Sequence, residues 1–397
     1  MAARKAAAGS GTIRKKTVTR NGKQYTFWEA RYTAGTDPGT GKQIQRSISG
    51  KTQKEVARKL KETTAAIDAG TYIAPSKLTV GEWLNVWTKD YLGGVKPFTV
   101  SAYTATIRNH IKPALGAIRL EALSAHTIQS FYNSLSKANE NRPALSPKTV
   151  QNVHGVLHHA LKQAVLIGYI RSNPTDACIL PRKEKRQIKP LDENEIRQFM
   201  GAIKGHLLED LFTVTLFTGM REGEVLGLGW DCVDFKNGVI HIVRQLQLRR
   251  GGGGQYVYAP LKNDKTRTIT PAPWVMQLLR SHKAKQSAAR LRAGELWEDS
   301  GLVFTNDVGH HLAVNTVFRQ YKAVVTSIGR PDARFHDLRH SYAVASIMAG
   351  DDIKTVQGNL GHATAAFTLD VYGHVTDQMK RASAQRMEQY IKQVLGR

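Results

Sequence analysis

Five short stretches near the end of the chain carry the kinds of side chain that attack on a phosphodiester requires. Bidentate arginine matches the charge on two nonbridging phosphate oxygens. A tyrosine hydroxyl can act as a nucleophile, histidine can accept its proton, and lysine can protonate the departing oxygen. These groups, none of which needs a metal, are Arg221, Lys262, Lys265, Arg267, His336, Arg339, His340, His362 and Tyr372.

Taken singly, these residues also have ordinary structural interpretations. Arg221 could cap a helix and pair with Glu222 or Glu224, and the two lysines could be charges on an exposed hairpin. Tyr372 is one of thirteen tyrosines. Only the combination of groups in one segment points to phosphoryl chemistry.

Two of the histidines could instead be ligands of a metal ion. His336 and His340 stand four residues apart, as two ligands on a helix do. A third ligand and a carboxylate base are not apparent, because no His-Glu-x-x-His pattern occurs. The two cysteines, Cys178 and Cys232, are isolated in the sequence and indicate neither disulfides nor a thiolate site. We therefore expect no metal and no other cofactor.

The charge of the chain favours a polyanionic partner. Lysine and arginine total 57 and aspartate and glutamate total 32, so the net charge is +25 and the pI is near 10.0. Every phosphate contact releases condensed counterions, so nucleic acid is the expected partner. A ribosome-associated or merely basic protein is the alternative. No apolar run is long enough to span a bilayer and no signal peptide is recognisable, which predicts a cytoplasmic protein.

The first segment, residues 1–72, is predicted to form a small antiparallel sheet followed by a helix. Short alternating runs cover Thr12–Thr19, Gln24–Thr33 and Lys42–Ser49, and Asn21-Gly22 separates the first two as a turn. A helix is expected over Thr52–Ala69. The sheet is basic, which suits a DNA groove, and we expect one of its faces to carry Arg31, Lys42 and Arg46. Its aromatic residues, Tyr25, Phe27 and Trp28, are for the most part expected in the core.

The rest of the chain predicts two further domains. Residues 77–180 are expected to be all helical, with helices over Thr99–Ile111, His126–Ser136 and Lys148–Ile167. The charged linker Pro181–Pro190 leads to residues 188–397, in which helices surround a β-rich stretch, Val239–Thr270. The four glycines at 251–254 are expected at a hairpin tip. The fold class is therefore multidomain, mainly α with small β-sheets, with an α+β third domain.

The motifs together resemble those of the tyrosine recombinases, and within them the integrases of phages and conjugative transposons. Thr-Gly-Met-Arg221-Glu-Gly-Glu resembles the family's first arginine motif, and Lys262 precedes Arg267-Thr-Ile as the family's lysine precedes its strand. His336-Asp-Leu-Arg339 and Leu-Gly-His362 follow in the family's order, and Tyr372 comes ten residues later. Upstream, residues 77–180 resemble the helical core-binding domain and residues 1–72 the arm-binding domain.

The resemblance implies a site-specific DNA recombinase that integrates or excises a mobile element, by viral genome integration or transposition. Tyr372 would form a 3′-phosphotyrosine, and Arg221 and Arg339 would hold the phosphate charge. His336 and His362 would assist, and Lys262 would be the general acid. Lys265 competes for that last role, and it is expected to contact DNA with Arg267.

The implied partners are double-stranded DNA at core and arm sites and three more copies of the chain in a homotetramer. A directionality factor (excisionase), a host DNA-bending protein and the bacterial nucleoid are further expectations. The last helix, about Gln378–Leu395, could anchor Met379, Met387 and Ile391 in a neighbouring subunit or in its own. A type IB topoisomerase and a non-enzymatic DNA-binding protein on the same scaffold are the rival functions.

Overall fold

A computed structural model describes most of the chain and divides it into two compact units, Met1–Glu184 and Lys185–Arg397. The described residues are 12–36, 39–70, 72, 77–138, 143–183, 189–248, 255–261, 265–361 and 376–396. The predicted hairpin tip at 251–254 and the middle of the linker, 184–188, lie outside them. The three-domain division stays a prediction.

The first unit begins with a three-stranded antiparallel sheet in the order β1–β2–β3. Its strands are β1 (Ile13–Arg20), β2 (Lys23–Thr36) and β3 (Gln43–Gly50), and helix α1 (Gln53–Asp68) follows. Asn21 and Gly22 form the β1–β2 turn with positive φ of 49° and 72°, the conformation for which Asn-Gly is the preferred pair. The predicted strands and helix are confirmed to within three residues.

The register of this sheet decides which side chains share a face. Ala30 and Tyr32 lie on the face that packs on Val56 and Leu60 of α1. Directly paired residues of antiparallel strands point to the same face, and Arg46 pairs with Tyr32.

Arg31 lies between Ala30 and Tyr32 on β2, and successive side chains of a strand point to opposite faces. Arg31 therefore points away from α1, to the face that we call the open face. The expectation that Arg31 and Arg46 share a face is wrong, because the strand register was not apparent from the sequence. Lys42 precedes β3 rather than lying on it. Of the three aromatics, Trp28 lies on the α1 face against the core, whereas Tyr25 is exposed and Phe27 half-buried on the open face.

A helical bundle with its own core completes the first unit. Trp83, fully buried, donates from its indole Nε1 to the carbonyl of Ala160 at 2.9 Å. The helices are α2 (Val80–Asp90), α3 (Pro97–Thr106), α4 (Lys112–Leu115), α5 (Ala125–Leu135) and α6 (Pro147–Leu166), with short 3₁₀ turns at Leu120–Ala122 and Pro174–Ala177. A π-helical turn, Ile107–Ile111, joins α3 to α4, so the predicted helix over Thr99–Ile111 runs on past its expected end. Pro113 has no N–H to donate to the preceding turn of a regular α-helix. The wider π turn just before it lets the helix continue without that hydrogen bond.

The second unit surrounds two small sheets with helices. It opens with α7 (Glu193–Ala202), α8 (Glu209–Thr218), α9 (Glu222–Leu226) and a 3₁₀ turn, Trp230–Cys232. The strands are β4 (Val233–Asp234), β5 (Val239–Ile242), β6 (Gln245–Leu248), β7 (Tyr256–Ala259) and β8 (Arg267–Ile269). Strands β4, β5 and β8 form one sheet, and β6 and β7 form the other.

The remaining helices complete this unit. They are α10 (Pro273–Ala293), α11 (Val314–Ser327), α12 (Phe335–Met348), α13 (Ile353–Leu360) and α14 (Thr376–Leu395), with a 3₁₀ turn at Gly294–Leu296. Buried rings of Phe212, Tyr321 and Phe335 meet at centroid distances of 5.4 to 6.2 Å and join α8, α11 and α12. The predicted fold class, mainly helical with small sheets, is confirmed. Within the described ranges, no helix has both the length and the apolar character needed to cross a membrane.

Candidate active site

The turn between α8 and α9 places Arg221. Gly219 ends α8 with a φ of +64°, and a Cβ added there would stand 2.5 Å from Cδ1 of Tyr342 and 2.8 Å from Cδ2 of Leu360. Only glycine meets both demands without strain. The chain can thus turn tightly against α12 and α13, and Arg221 becomes the N-cap residue of α9.

Glu224 lies buried between two arginines. Its carboxylate accepts from Nη1 of Arg221 at 2.7 Å, and from Nη1 and Nη2 of Arg267 at 3.0 and 2.7 Å. It also accepts from the backbone N–H of Arg221 at 2.9 Å. Burial by itself would raise the pKa of Glu224, but the hydrogen bonds and charge of Arg267, with those of Arg221, outweigh it and lower the pKa to about 2. The carboxylate is therefore ionised at neutral pH.

Three arginines donate to three successive carbonyls at the end of α13. Arg267 Nε donates to Asn359 at 2.8 Å, Arg339 Nη2 donates to Leu360, and Arg221 Nη2 donates to Gly361 at 3.2 Å. The last carbonyls of a helix have no intrahelical partner and carry partial negative charge, so cations stabilise them. Helix α13 thereby gathers residues from three distant parts of the unit.

Arg339 lies beneath this cluster on α12. Its side chain is almost completely buried, at 1% exposure, and its Nη1 donates to the carbonyl of Gly219 at 2.7 Å. His336 precedes it by one helical turn, and residues at this spacing share a face of a helix. The structure therefore brings together three of the predicted residues, Arg221, His336 and Arg339.

The two histidines of α12 are uncharged near neutral pH. The pKa of His336 is lowered to about 4, because its ring is partly withdrawn from water and because His340, Arg339 and Arg221 lie nearby. His336 nevertheless keeps an exposed surface, whereas His340 is buried. Burial also lowers the pKa of His340 to about 4, and the two rings meet edge to face at 4.9 Å. Across the described residues, no group of three or more His, Cys, Asp or Glu side chains is arranged to hold a metal.

The structure does not describe every predicted site residue. Lys262, His362 and Tyr372 lie outside the described residues. Lys265 is exposed just ahead of β8. Arg31, Lys42 and Arg46 are exposed in the first unit.

Arg267 is placed differently from the expectation of a DNA contact. Its side chain is only 10% exposed, and Nε, Nη1 and Nη2 all donate to protein acceptors. This arrangement favours a positioning role. The partnership of Arg267 with Glu224 was missed, although a glutamate next to the apolar pair Val225-Leu226 signals a buried carboxylate that needs a cation.

Two family models match the chain. The model "Phage integrase family" covers residues 189–379, and "Phage integrase, N-terminal SAM-like domain" covers residues 79–136. An integrase of Streptomyces ambofaciens is 30% identical over 356 residues, which span 87% of this chain and 88% of the relative.

Solved structures share the fold. The Tn1549 transposon integrase in complex with transposon right end DNA matches with a TM-score of 0.66 and 22% identity, over 78% of this chain and 100% of that one. The lambda integrase in a tetramer bound to a Holliday junction matches with a TM-score of 0.54 and 18% identity, over 88% of this chain and 96% of that one.

Proposed function

The chain belongs to the phage integrase family, and on that basis we propose that it cuts and rejoins DNA with Tyr372 as the nucleophile. It is a site-specific recombinase of the tyrosine class, an enzyme that transfers DNA strands. The family models and the relative named above leave the topoisomerase and the non-enzymatic alternatives without support. The observation that carries the proposal is the convergence of Arg221 and Arg339 at the end of α13, just before His362 in the sequence, with His336 close enough to both arginines to feel their charge.

Arg221 and Arg339 would act on the charge of a scissile phosphate in different ways, because Arg339 is only 1% exposed and donates to the carbonyls of Gly219 and Leu360. Arg221 keeps 29% of its side chain exposed and can present its guanidinium edge to a substrate. Arg339 reinforces the positive potential from beneath. Groups held rigidly where charge develops in the transition state contribute most to catalysis of this kind, often several kcal/mol. Glu224 and the carbonyl of Gly361 hold Arg221 in this way.

His336 suits proton transfer or hydrogen bonding in its neutral form. Its pKa near 4 leaves the ring neutral at pH 7, so it can donate a hydrogen bond to a phosphate oxygen and has a free nitrogen for the proton that Tyr372 loses. The tyrosine oxygen then bonds to phosphorus while the bond from phosphorus to the 5′ oxygen breaks. Lys262 or Lys265 gives that oxygen a proton. Attack by the 5′ hydroxyl of a partner strand reverses these steps and frees the tyrosine, with His362 supporting the phosphate oxygens.

The test is covalent trapping on a nicked duplex that carries the element's own end, in the presence of EDTA. Wild type is compared with Tyr372→Phe and with a matched control, Tyr258→Phe, whose ring is exposed on β7. We expect a protein–DNA adduct from wild type and the control and none from Tyr372→Phe. An adduct from Tyr372→Phe would refute the assignment, and no adduct from any protein on bound DNA would refute the chemistry.

We propose that the first unit binds DNA at two kinds of site, the core site and the arm sites. Residues 77–180 would bind the core site, which the match of residues 79–136 to the family's N-terminal domain supports. The sheet would bind arm sites through its open face. That face carries Arg31 and the exposed ring of Tyr25, together with Arg14 and Lys16, which both pair with Glu29 at 2.9 and 3.2 Å. Three cations around one carboxylate leave this face positive, which suits phosphates, and the ring suits bases.

The enzyme is proposed to work as a homotetramer on DNA, because recombining two duplexes needs four strand cuts. Helix α14 exposes Met387, Tyr390, Ile391 and Val394, spaced three and four residues apart as one apolar stripe. We assign this stripe to a neighbouring subunit; the side chain of Met379 lies outside the described part. An excisionase, a host DNA-bending protein and a place in the cytosol on the nucleoid complete the proposal.

A further inference from the structure

We propose that Arg267 is a positioning residue for strand transfer, acting on the scissile phosphate through Arg221. The inference rests on the proposed roles of Arg221 and Tyr372. Nε, Nη1 and Nη2 of Arg267 each donate to an acceptor within the protein, either Glu224 or the carbonyl of Asn359. It therefore acts from inside the protein.

The first part of the argument is electrostatic. Glu224 is 1% exposed and ionised, and Arg221 alone would pair with it and have its charge cancelled. Arg267 adds a second positive charge that engages both oxygens of the carboxylate. The charges of Arg221, Arg267 and Glu224 then sum to +1 rather than zero. The remaining positive charge is most accessible at Arg221, the more exposed of the two arginines. A charge that Glu224 no longer cancels is available to a phosphate.

The second part is geometric. Arg267 is the first residue of β8, and it ties this strand to α9 through Glu224 and to α13 through Asn359. A Cβ at Gly361, whose φ is +62°, would stand 3.1 Å from Cδ of Arg267, so the end of α13 closes directly over this side chain. The same helix end receives Arg221 and Arg339. Arg267 thus holds the carboxylate that pairs with Arg221, and through Asn359 it also holds the helix end to which Arg221 and Arg339 donate.

The test compares Arg267→Gln with Arg267→Lys and with Arg244→Gln. Arg244 is a matched control in the same unit, because it also makes a two-pronged ion pair with a carboxylate, but that carboxylate is Asp231 and not Glu224. The rate of covalent adduct formation is measured on the nicked duplex, alongside the affinity for the same duplex. We expect Arg267→Gln to slow the adduct by ~100-fold or more, as loss of a transition-state charge contact does. Affinity should change little, Arg244→Gln should cleave like wild type, and Arg267→Lys, which keeps the charge, should be intermediate.

A second substrate separates positioning from misfolding. It carries a methylphosphonate at the scissile position and therefore has no negative charge there for Arg221 to hold. If Arg267 acts through that charge, the defects of Arg267→Gln and of a parallel Arg221→Gln should both largely disappear on this substrate. A defect of Arg267→Gln that is equal on both substrates would overturn the proposal in favour of a purely structural role.

Failure of the wider mechanism would look different. An adduct formed by Tyr372→Phe would remove the nucleophile assignment whatever Arg267 does. A slow Arg221→Gln beside a normal Arg267→Gln would overturn the positioning role alone.

Discussion

Arg339 donates a hydrogen bond from Nη1 to the carbonyl of Gly219, 120 residues earlier in the chain, at 2.7 Å. The bond fastens α12 to the end of α8, two residues before Arg221. Because the second guanidinium nitrogen of Arg339 donates to Leu360, one side chain ties the α8–α9 turn to the end of α13. The geometry of the candidate site therefore depends on how closely these backbones approach.

Replacement of Gly219 by alanine should test that close approach. The substitution forces a side chain into a left-handed conformation and drives its Cβ into Tyr342 and Leu360. We expect a loss of about 2–4 kcal/mol in the free energy of unfolding, the sum of backbone strain and overpacking. Gly238→Ala is the control, since its φ is +68° but nothing lies within 4 Å of the added atom. Urea unfolding measures both, and equal losses would contradict the steric account.

Acid should weaken the second unit through Glu224. Its folded pKa of about 2 lies below the ordinary value of 4.5. The stabilisation is thus fully present above pH 4.5 and is lost as the pH falls toward 2, by roughly 3 kcal/mol at most. Hydrogen exchange of α8 peptides, followed from pH 6 downward by mass spectrometry, should show a shallower acid dependence in Glu224→Gln. Glu295→Gln, an exposed change in the same unit, should behave like wild type.

Protonation of His340 should destabilise the folded chain at a higher pH than protonation of Glu224 does. Burial holds its pKa near 4 in the folded chain, against about 6.5 when unfolded. The unfolded chain therefore binds the extra proton first, and stability present above pH 6.5 is lost as the pH falls toward 4. His340→Gln should flatten the slope of the free energy of unfolding against pH in that window. An unchanged slope in His340→Gln would refute the assignment.

The two faces of the N-terminal sheet should differ in their contribution to DNA binding. Arg31 and Arg46 are exposed arginines on neighbouring strands, but only Arg31 lies on the open face. On a duplex that carries the element's end and its flanking DNA, Arg31→Ala should weaken binding and reduce the salt slope by about 1. Arg46→Ala should leave both nearly unchanged. The reverse order would place the DNA on the α1 side.

The sequence predicted what is encoded locally. Asn21-Gly22 and the alternation around it define β1 and β2, and apolar spacing defines the helices, because these signals span only a few neighbouring residues. The convergence of Arg221, His336 and Arg339 was expected from the resemblance of their motifs.

What escaped prediction depends on pairing between distant residues. Glu224 and Arg267 lie 43 residues apart, and no local pattern indicates that a strand will place one beside the other. The face on which Arg46 lies depends on which residue of β2 it opposes, and a shift of one position would reverse it.

The long-range contacts of Arg267 and Arg339 also bear on the order in which the protein is made. Contacts across many residues form late, because the entropy of closing a long loop must be overcome first. Chains emerge from the ribosome N-terminus first, and domains fold as they emerge. The helical bundle around Trp83 can therefore fold before α12 and α13 have been synthesised. A nascent chain would complete the segments that we propose to bind DNA before it could assemble the arginine cluster, and it would be unable to break a strand until α12 and α13 have been made.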